Sequence, residues 1–183
     1  SAQTHILMGQ PGITRDDPDY FPLTVGNHVL GGSGLVSRVA IEVREKRGLA
    51  YSAYSYFTPM HAAGPFTAGL QTRNDQAEAA LGVLQDVLRD FIAKGPTADE
   101  LTAAKKNITG GFALNLDSNS KIVDNLASIG FYNLPLNYLD TYNQRVEAVT
   151  AEQIRDAFQR RVQPDRMVTV TVGADATASR AKP

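Results

Sequence analysis

The sequence predicts an α+β fold, a two-layer sandwich whose mainly antiparallel sheet carries helices packed on one face. Three observations predict it. Strand-like segments stand near the two ends, at residues 4–8 and 167–172; two more, at 51–57 and 66–72, lie close enough to form a hairpin; and most of the chain between 77 and 162 repeats at helical spacing. Strands adjacent in sequence pair antiparallel, and grouped helices must bury their apolar stripes on a sheet face.

Each element has a local reason. The first strand runs into the turn-prone Gly9-Gln10-Pro11-Gly12. Asp17 as N-cap and Pro18 at the first helical position predict a helix to about Leu30, with Phe21, Val25 and Val29 on one face. Gly31-Gly32-Ser33-Gly34 stops it. A second helix is expected from Leu35 to Lys46 or Arg47, with Val36, Val39, Ala40 and Val43 spaced for burial and Gly48 as a left-handed cap. Two strands then alternate around a loop through Pro59 to Gly64.

Leu81, Leu84, Leu88 and Phe91 mark the next helix, which Lys94-Gly95-Pro96 ends. Thr97 with Glu100 is a capping box for a helix through Ala104 and Ile108; Thr150 with Gln153 is a looser one for a helix through Ile154 and Phe158. Two shorter helices, 117–132 and 136–146, lie between them. A single domain over residues 1–173 is expected, with an alanine-rich, frayed tail at 174–183. The chain opens without Met almost directly in a strand, so a processed or truncated polypeptide is expected.

Composition excludes several function classes. A net charge of −1 gives no general attraction to nucleic acid or anionic membrane. The densest basic cluster, Arg44 to Arg47, is interrupted by Glu45. No apolar run is long enough for a membrane span. With no cysteine there are no disulfides, thiolate metal sites or cysteine nucleophiles.

Motifs for metal and nucleotide chemistry are equally absent. His5, His28 and His61 fall in a strand, near a helix end and in a hairpin loop, with no H-E-x-x-H or H-x-x-E-H pattern. The glycine run follows a helix rather than a strand and lacks Gly-Lys-Ser/Thr, so it reads as a tight turn rather than a phosphate cradle. Asp117-Ser118-Asn119-Ser120 lacks the rest of a calcium loop and reads as a helix cap.

One segment, Val43-Arg44-Glu45-Lys46-Arg47-Gly48-Leu49-Ala50-Tyr51, has chemical promise. A bend at Gly48 would bring Arg44, at a helix end, and Tyr51, at a strand start, over one spot. A guanidinium and a phenol together suit a peptide carbonyl or the oxyanion formed when it is attacked. Taken alone the residues leave a second reading open, in which the arginine serves the helix dipole and the tyrosine serves packing.

This segment, with Gly31-Gly32-Ser33-Gly34-Leu35-Val36-Ser37-Arg38 before it, resembles the second homologous domain of the pitrilysin, insulysin and mitochondrial processing peptidase family. The opening through Pro11-Gly12 to Asp17-Pro18-Asp19-Tyr20, the stretch Gly64-Pro65-Phe66 to Gln71-Thr72, and residues 97–105 are similar too, so the match spans about Thr4 to Gly173. In that family one domain holds zinc on H-x-x-E-H plus a downstream Glu, and its homologue supplies an arginine and a tyrosine seven residues apart. Arg44 and Tyr51 have that separation.

The resemblance implies the substrate-clamping, non-zinc-binding part of a zinc endopeptidase that encloses peptides or unfolded chains in a chamber. The fragment alone would be inactive, with no cofactor or metal of its own; zinc is expected on a homologous domain or subunit, as in a heterodimer. A structural or assembly subunit of the same fold is the alternative. An exported or periplasmic bacterial site is expected over the cytoplasm.

Overall fold

A computed structural model describes residues 3–173. The tail expected at 174–183 lies outside the described residues. Four strands form one antiparallel sheet in the order β2-β3-β1-β4, where β1 is Gln3–Pro11, β2 Ala50–Phe57, β3 Pro65–Arg73 and β4 Val168–Val172. The helices are α1 (Tyr20–Asn27), α2 (Arg38–Ala40), α3 (Ala77–Lys94), α4 (Ala98–Gly111), α5 (Asn119–Phe131), α6 (Tyr138–Ala148) and α7 (Ala151–Arg161). The architecture is the α+β sandwich that the sequence predicts.

Strand alternation decides which face the helices cover. Ile6 and Met8 of β1, Ala53 and Ser55 of β2, and Phe66, Ala68 and Leu70 of β3 point the same way and are buried. Against them pack Leu84, Leu88 and Phe91 of α3, Ile154 and Phe158 of α7, and Leu23 and Val25 of α1. Phe158 sits at the centre, with its ring 4.9 Å from Phe91 and 5.9 Å from Phe57. Among the described residues no helix lies over the opposite face, and Leu7, Tyr54, Tyr56, Val168 and Val170 are exposed there.

Both expected capping boxes form, that of Thr97 with Glu100 and that of Thr150 with Gln153, each side chain bonding the other's backbone N–H. Glu100 also takes a two-pronged bond from Arg38, at 2.7 Å for each prong, which ties α2 to the start of α4.

The start of α1 differs from expectation. The helix begins at Tyr20, and Asp17 instead accepts the Asp19 N–H at 2.8 Å. Asp19 is drawn away from capping by Arg160, which grips both its oxygens at 2.7 and 2.8 Å, and by Arg161 at 2.8 Å. Two carboxylates from the α1 approach thus anchor the end of α7, a pairing across about 140 residues that no local signal announces. The second helix also differs: a 3₁₀ turn at Gly34–Val36, a Ser37 cap and α2 lead into a wide π turn at Ile41–Glu45. A second π turn, His28–Gly32, extends α1.

That extension explains the glycine run. A Cβ on Gly31 would fall 2.3 Å from both the backbone nitrogen and the hydroxyl of Ser55, so only glycine lets the turn lie flat on β2. Beside it the Asn27 amide donates to the Ser55 carbonyl at 3.0 Å, and the Ser55 hydroxyl donates back to Asn27 Oδ1 at 2.7 Å.

Two predictions follow from this packing. Gly31→Ala will destabilise the fold by about 1–3 kcal/mol through overpacking, read as a lower urea midpoint at unchanged m-value. The second concerns pH. Arg160 first, and then Arg161, hold the Asp19 carboxyl below its usual range against the opposing effect of burial. A carboxyl depressed in the folded state stabilises fully above the unfolded pKa of about 4 and loses that contribution as pH falls from there through the lower folded-state value. Urea midpoints will therefore fall below about pH 4 in the parent and fall less steeply in Asp19→Asn.

Candidate functional site

Arg44 and Tyr51 are brought together by three local features. Arg44 lies in the π turn that ends at Glu45, where the Lys46 N–H reaches the Ile41 carbonyl. Gly48 then takes φ +60°. Its N–H bonds the Arg44 carbonyl and the Leu49 N–H bonds the Val43 carbonyl, both at 2.9 Å. This is a Schellman-like cap in which each bond spans one residue more than usual, because the preceding turn is π.

The third feature is a β-bulge. Ala50 pairs with Thr72 and Ser52 with Gln71, so Tyr51 is an extra residue without a partner on β3. Counting back by twos from the inward-facing Phe57, Ser55 and Ala53 would aim Tyr51 at the core. The bulge frees it from that alternation, and Tyr51 is 80% exposed. The Arg44 guanidinium carbon lies 5.3 Å from the centre of its ring.

The electrostatics leave Arg44 available. Its neighbours are neutralised close by: Lys46 and Arg47 both bond the Glu42 carboxylate, at 2.6 and 2.5 Å, and they hold its pKa low, Lys46 foremost. Among the described residues no carboxylate pairs with Arg44, which is half-buried beside the tyrosine. A charged fork and a phenol at one exposed point can donate to a carbonyl oxygen or an oxyanion.

The chain belongs to the peptidase M16 inactive-domain family. The family's model matches residues 1–108, a stretch that includes both Arg44 and Tyr51. An uncharacterized zinc protease of Streptomyces coelicolor is 32% identical over 153 residues, which are 84% of this chain and 33% of that protein. A non-peptidase homolog, YmxG of Helicobacter pylori, is 30% identical over 158 residues, 84% of this chain and 36% of the homolog. A crystal structure of a peptidase M16 inactive domain from Pseudomonas fluorescens superposes with TM-score 0.88 at 44% identity, over 96% of this chain and 42% of that one. The chain thus spans about a third of the length of these curated relatives.

Other features of this M16 inactive domain do not add to the site. Among the described residues no group of three or more His, Asp or Glu could hold a metal ion. His5 lies on β1, His28 is half-buried with its pKa lowered chiefly by desolvation, and the His61 ring lies tilted against Phe131. No helix among the described residues is long and apolar enough to cross a membrane. A cavity of about 690 Å³ between α2 and α3 has Arg38, Lys46 and Lys94 in its lining, but each is satisfied by a nearby carboxylate, and neither Arg44 nor Tyr51 lines it.

The exposed contact between Arg44 and Tyr51 is worth only about 0.5–1 kcal/mol. Arg44→Ala and Tyr51→Phe will accordingly each leave stability within about 1 kcal/mol of the parent, measured by urea unfolding. A larger loss would mark the pair as a packing device.

Proposed function

We propose that this domain grips the backbone of a peptide or unfolded polypeptide while zinc on a homologous M16 domain or subunit drives hydrolysis. The observation that carries the reading is Arg44, free of any carboxylate among the described residues, beside a tyrosine that a bulge turns out of the sheet. Donors fixed in place before the reaction stabilise charge on the scissile oxygen without reorganising as it develops. Arg44 contributes a full charge and up to two parallel bonds; Tyr51 contributes one hydroxyl proton. The zinc, when bound on its own domain, polarises water for attack; this chain supplies position and charge compensation only. By itself it is inactive.

The alternative, a structural or assembly subunit, takes support from the Helicobacter pylori non-peptidase homolog at 30% identity. One experiment separates the two. The chain is assembled with its zinc-bearing domain, and cleavage of a quenched fluorescent peptide is followed. On our reading, Arg44→Ala and Tyr51→Phe each lower kcat/KM by about 10²- to 10³-fold, the range seen when one oxyanion donor is removed, with bound zinc and assembly unchanged. Unaltered turnover in both variants removes the clamping role, and no zinc-dependent cleavage in the assembled parent establishes the structural one.

A further inference from the structure

Helix α5 is out of keeping with the rest of the domain. It is 13 residues long, and Ile129 is its only buried residue. Its apolar positions Ile122, Val123 and Leu126 form a stripe at helical spacing, yet Val123 is 61% and Leu126 57% exposed. The stripe is prolonged at both ends, by Leu114 in the preceding turn and by Phe131, each 64% exposed. An amphipathic helix normally turns such a stripe to a core, and a helix this short is marginal in water without packing.

Among the described residues nothing compensates. Ser118 caps the helix, Lys121 bonds the Leu114 carbonyl at 2.7 Å and Asn125 bonds the Asn115 carbonyl at 3.0 Å, but these bonds are all local to residues 114–125. Between α5 and the body is a cavity of about 460 Å³, with Arg15, Tyr20, Tyr138 and Tyr142 on its far wall. The helix therefore stands off from the domain rather than closing onto it. The main lateral prop is the hairpin loop, whose His61 ring lies 4.5 Å from that of Phe131.

Three glycines flank the same region. At Gly110 and Gly111, closing α4, and at Gly130 in α5, an added Cβ would meet nothing within 4 Å. Each is unfavourable in a helix by about 1 kcal/mol relative to alanine, with no close packing among the described residues to require it. A neighbouring backbone coming close to these positions would require it.

We infer that the stripe Ile122, Val123 and Leu126, with Leu114 and Phe131 at its ends, is the seat of the zinc-bearing M16 domain. The occupant follows from size and kinship. The curated relatives that this chain matches are about two and a half times as long, and one of them is an uncharacterized zinc protease, so about two-thirds of such a protein lies beyond the matched residues. The surface is apolar; of the charges on or beside it, Lys121 pairs with Asp117 at 2.9 Å and Asp124 lines the cavity next to the helix, so it suits a protein face and not a polyanion. The assignment shares a partner with the proposed function but rests on α5 alone, and holds whether or not Arg44 and Tyr51 clamp substrate.

Hydrogen–deuterium exchange tests it without reference to activity. Residues 119–131 are compared in the isolated chain and in the full-length native polypeptide, or in the purified complex if the zinc-bearing domain is a separate chain identified by its mass and zinc content. Exchange across α5 is expected to slow at least tenfold in the assembled form, while β1 and β3 exchange equally in both. Leu126→Asp, at an exposed position, will abolish that protection and leave the circular dichroism of the isolated chain unchanged. Equal exchange in the two forms, intact protection in Leu126→Asp, or a native protein with no zinc-bearing domain would each overturn the assignment. So would a concentration-dependent dimer of the isolated chain that Leu126→Asp dissolves, since the seat would then belong to a second copy.

Discussion

Strand β2 is clasped to the helical layer by one buried polar pair, Asn27 with Ser55, and the candidate site takes its geometry from that clasp. Amide and hydroxyl satisfy each other and the strand carbonyl, so neither leaves an unmatched polar group in the interior. Because Gly31 rests directly on Ser55, the turn cannot slide along the strand. The inward register of Ala53, Ser55 and Phe57 is thereby held, and a slip by one residue would invert every side chain of β2. Under that restraint the extra residue demanded by the Gly48 bend has to be absorbed at Tyr51, and its ring is turned outward.

Much of this was legible in the residues. Strands with β-branched and aromatic alternation, long helices with apolar stripes, and two reciprocal caps need only nearest-neighbour chemistry, and they lie within a few residues of where the patterns put them. Arg44 and Tyr51 were visible as a pair that a bend at Gly48 could bring together, but the residues alone left a packing reading open, and only the resemblance singled them out. The start of α1 was not legible, because Asp17 and Asp19 look like caps until Arg160 and Arg161 arrive from the far end of the chain. The π turns were hidden as well, since Val39 and Val43 suit burial in an ordinary helix equally well. The bulge did leave a trace. Tyrosines at 51, 54 and 56 are spaced by three and then two, so Tyr51 is out of phase with a partnership that Tyr54 and Tyr56 keep, their rings stacked 5.8 Å apart.

The domain illustrates how one scaffold serves unlike roles. Its histidines are dispersed over a strand, a helix end and a loop, and its paired charges are mostly structural. Arg44, which pairs with no carboxylate among the described residues, sits where local backbone irregularities converge: a π turn, a left-handed glycine and a bulge. Such irregularities weaken regular hydrogen bonding, and a fold tolerates them where a side chain must be aimed.

Strand β4 has a different consequence. All five of its residues are exposed, and among the described residues it pairs with β1 on one side and with no strand on the other, which leaves its outer edge open. A ribbon so thinly attached is the first part of the sheet to peel away in native-state fluctuations, well before the Phe158 core opens. While it is attached, its valines and open edge form a template for pairing with another strand, so concentrated solutions of the domain have a built-in route to edge-to-edge association.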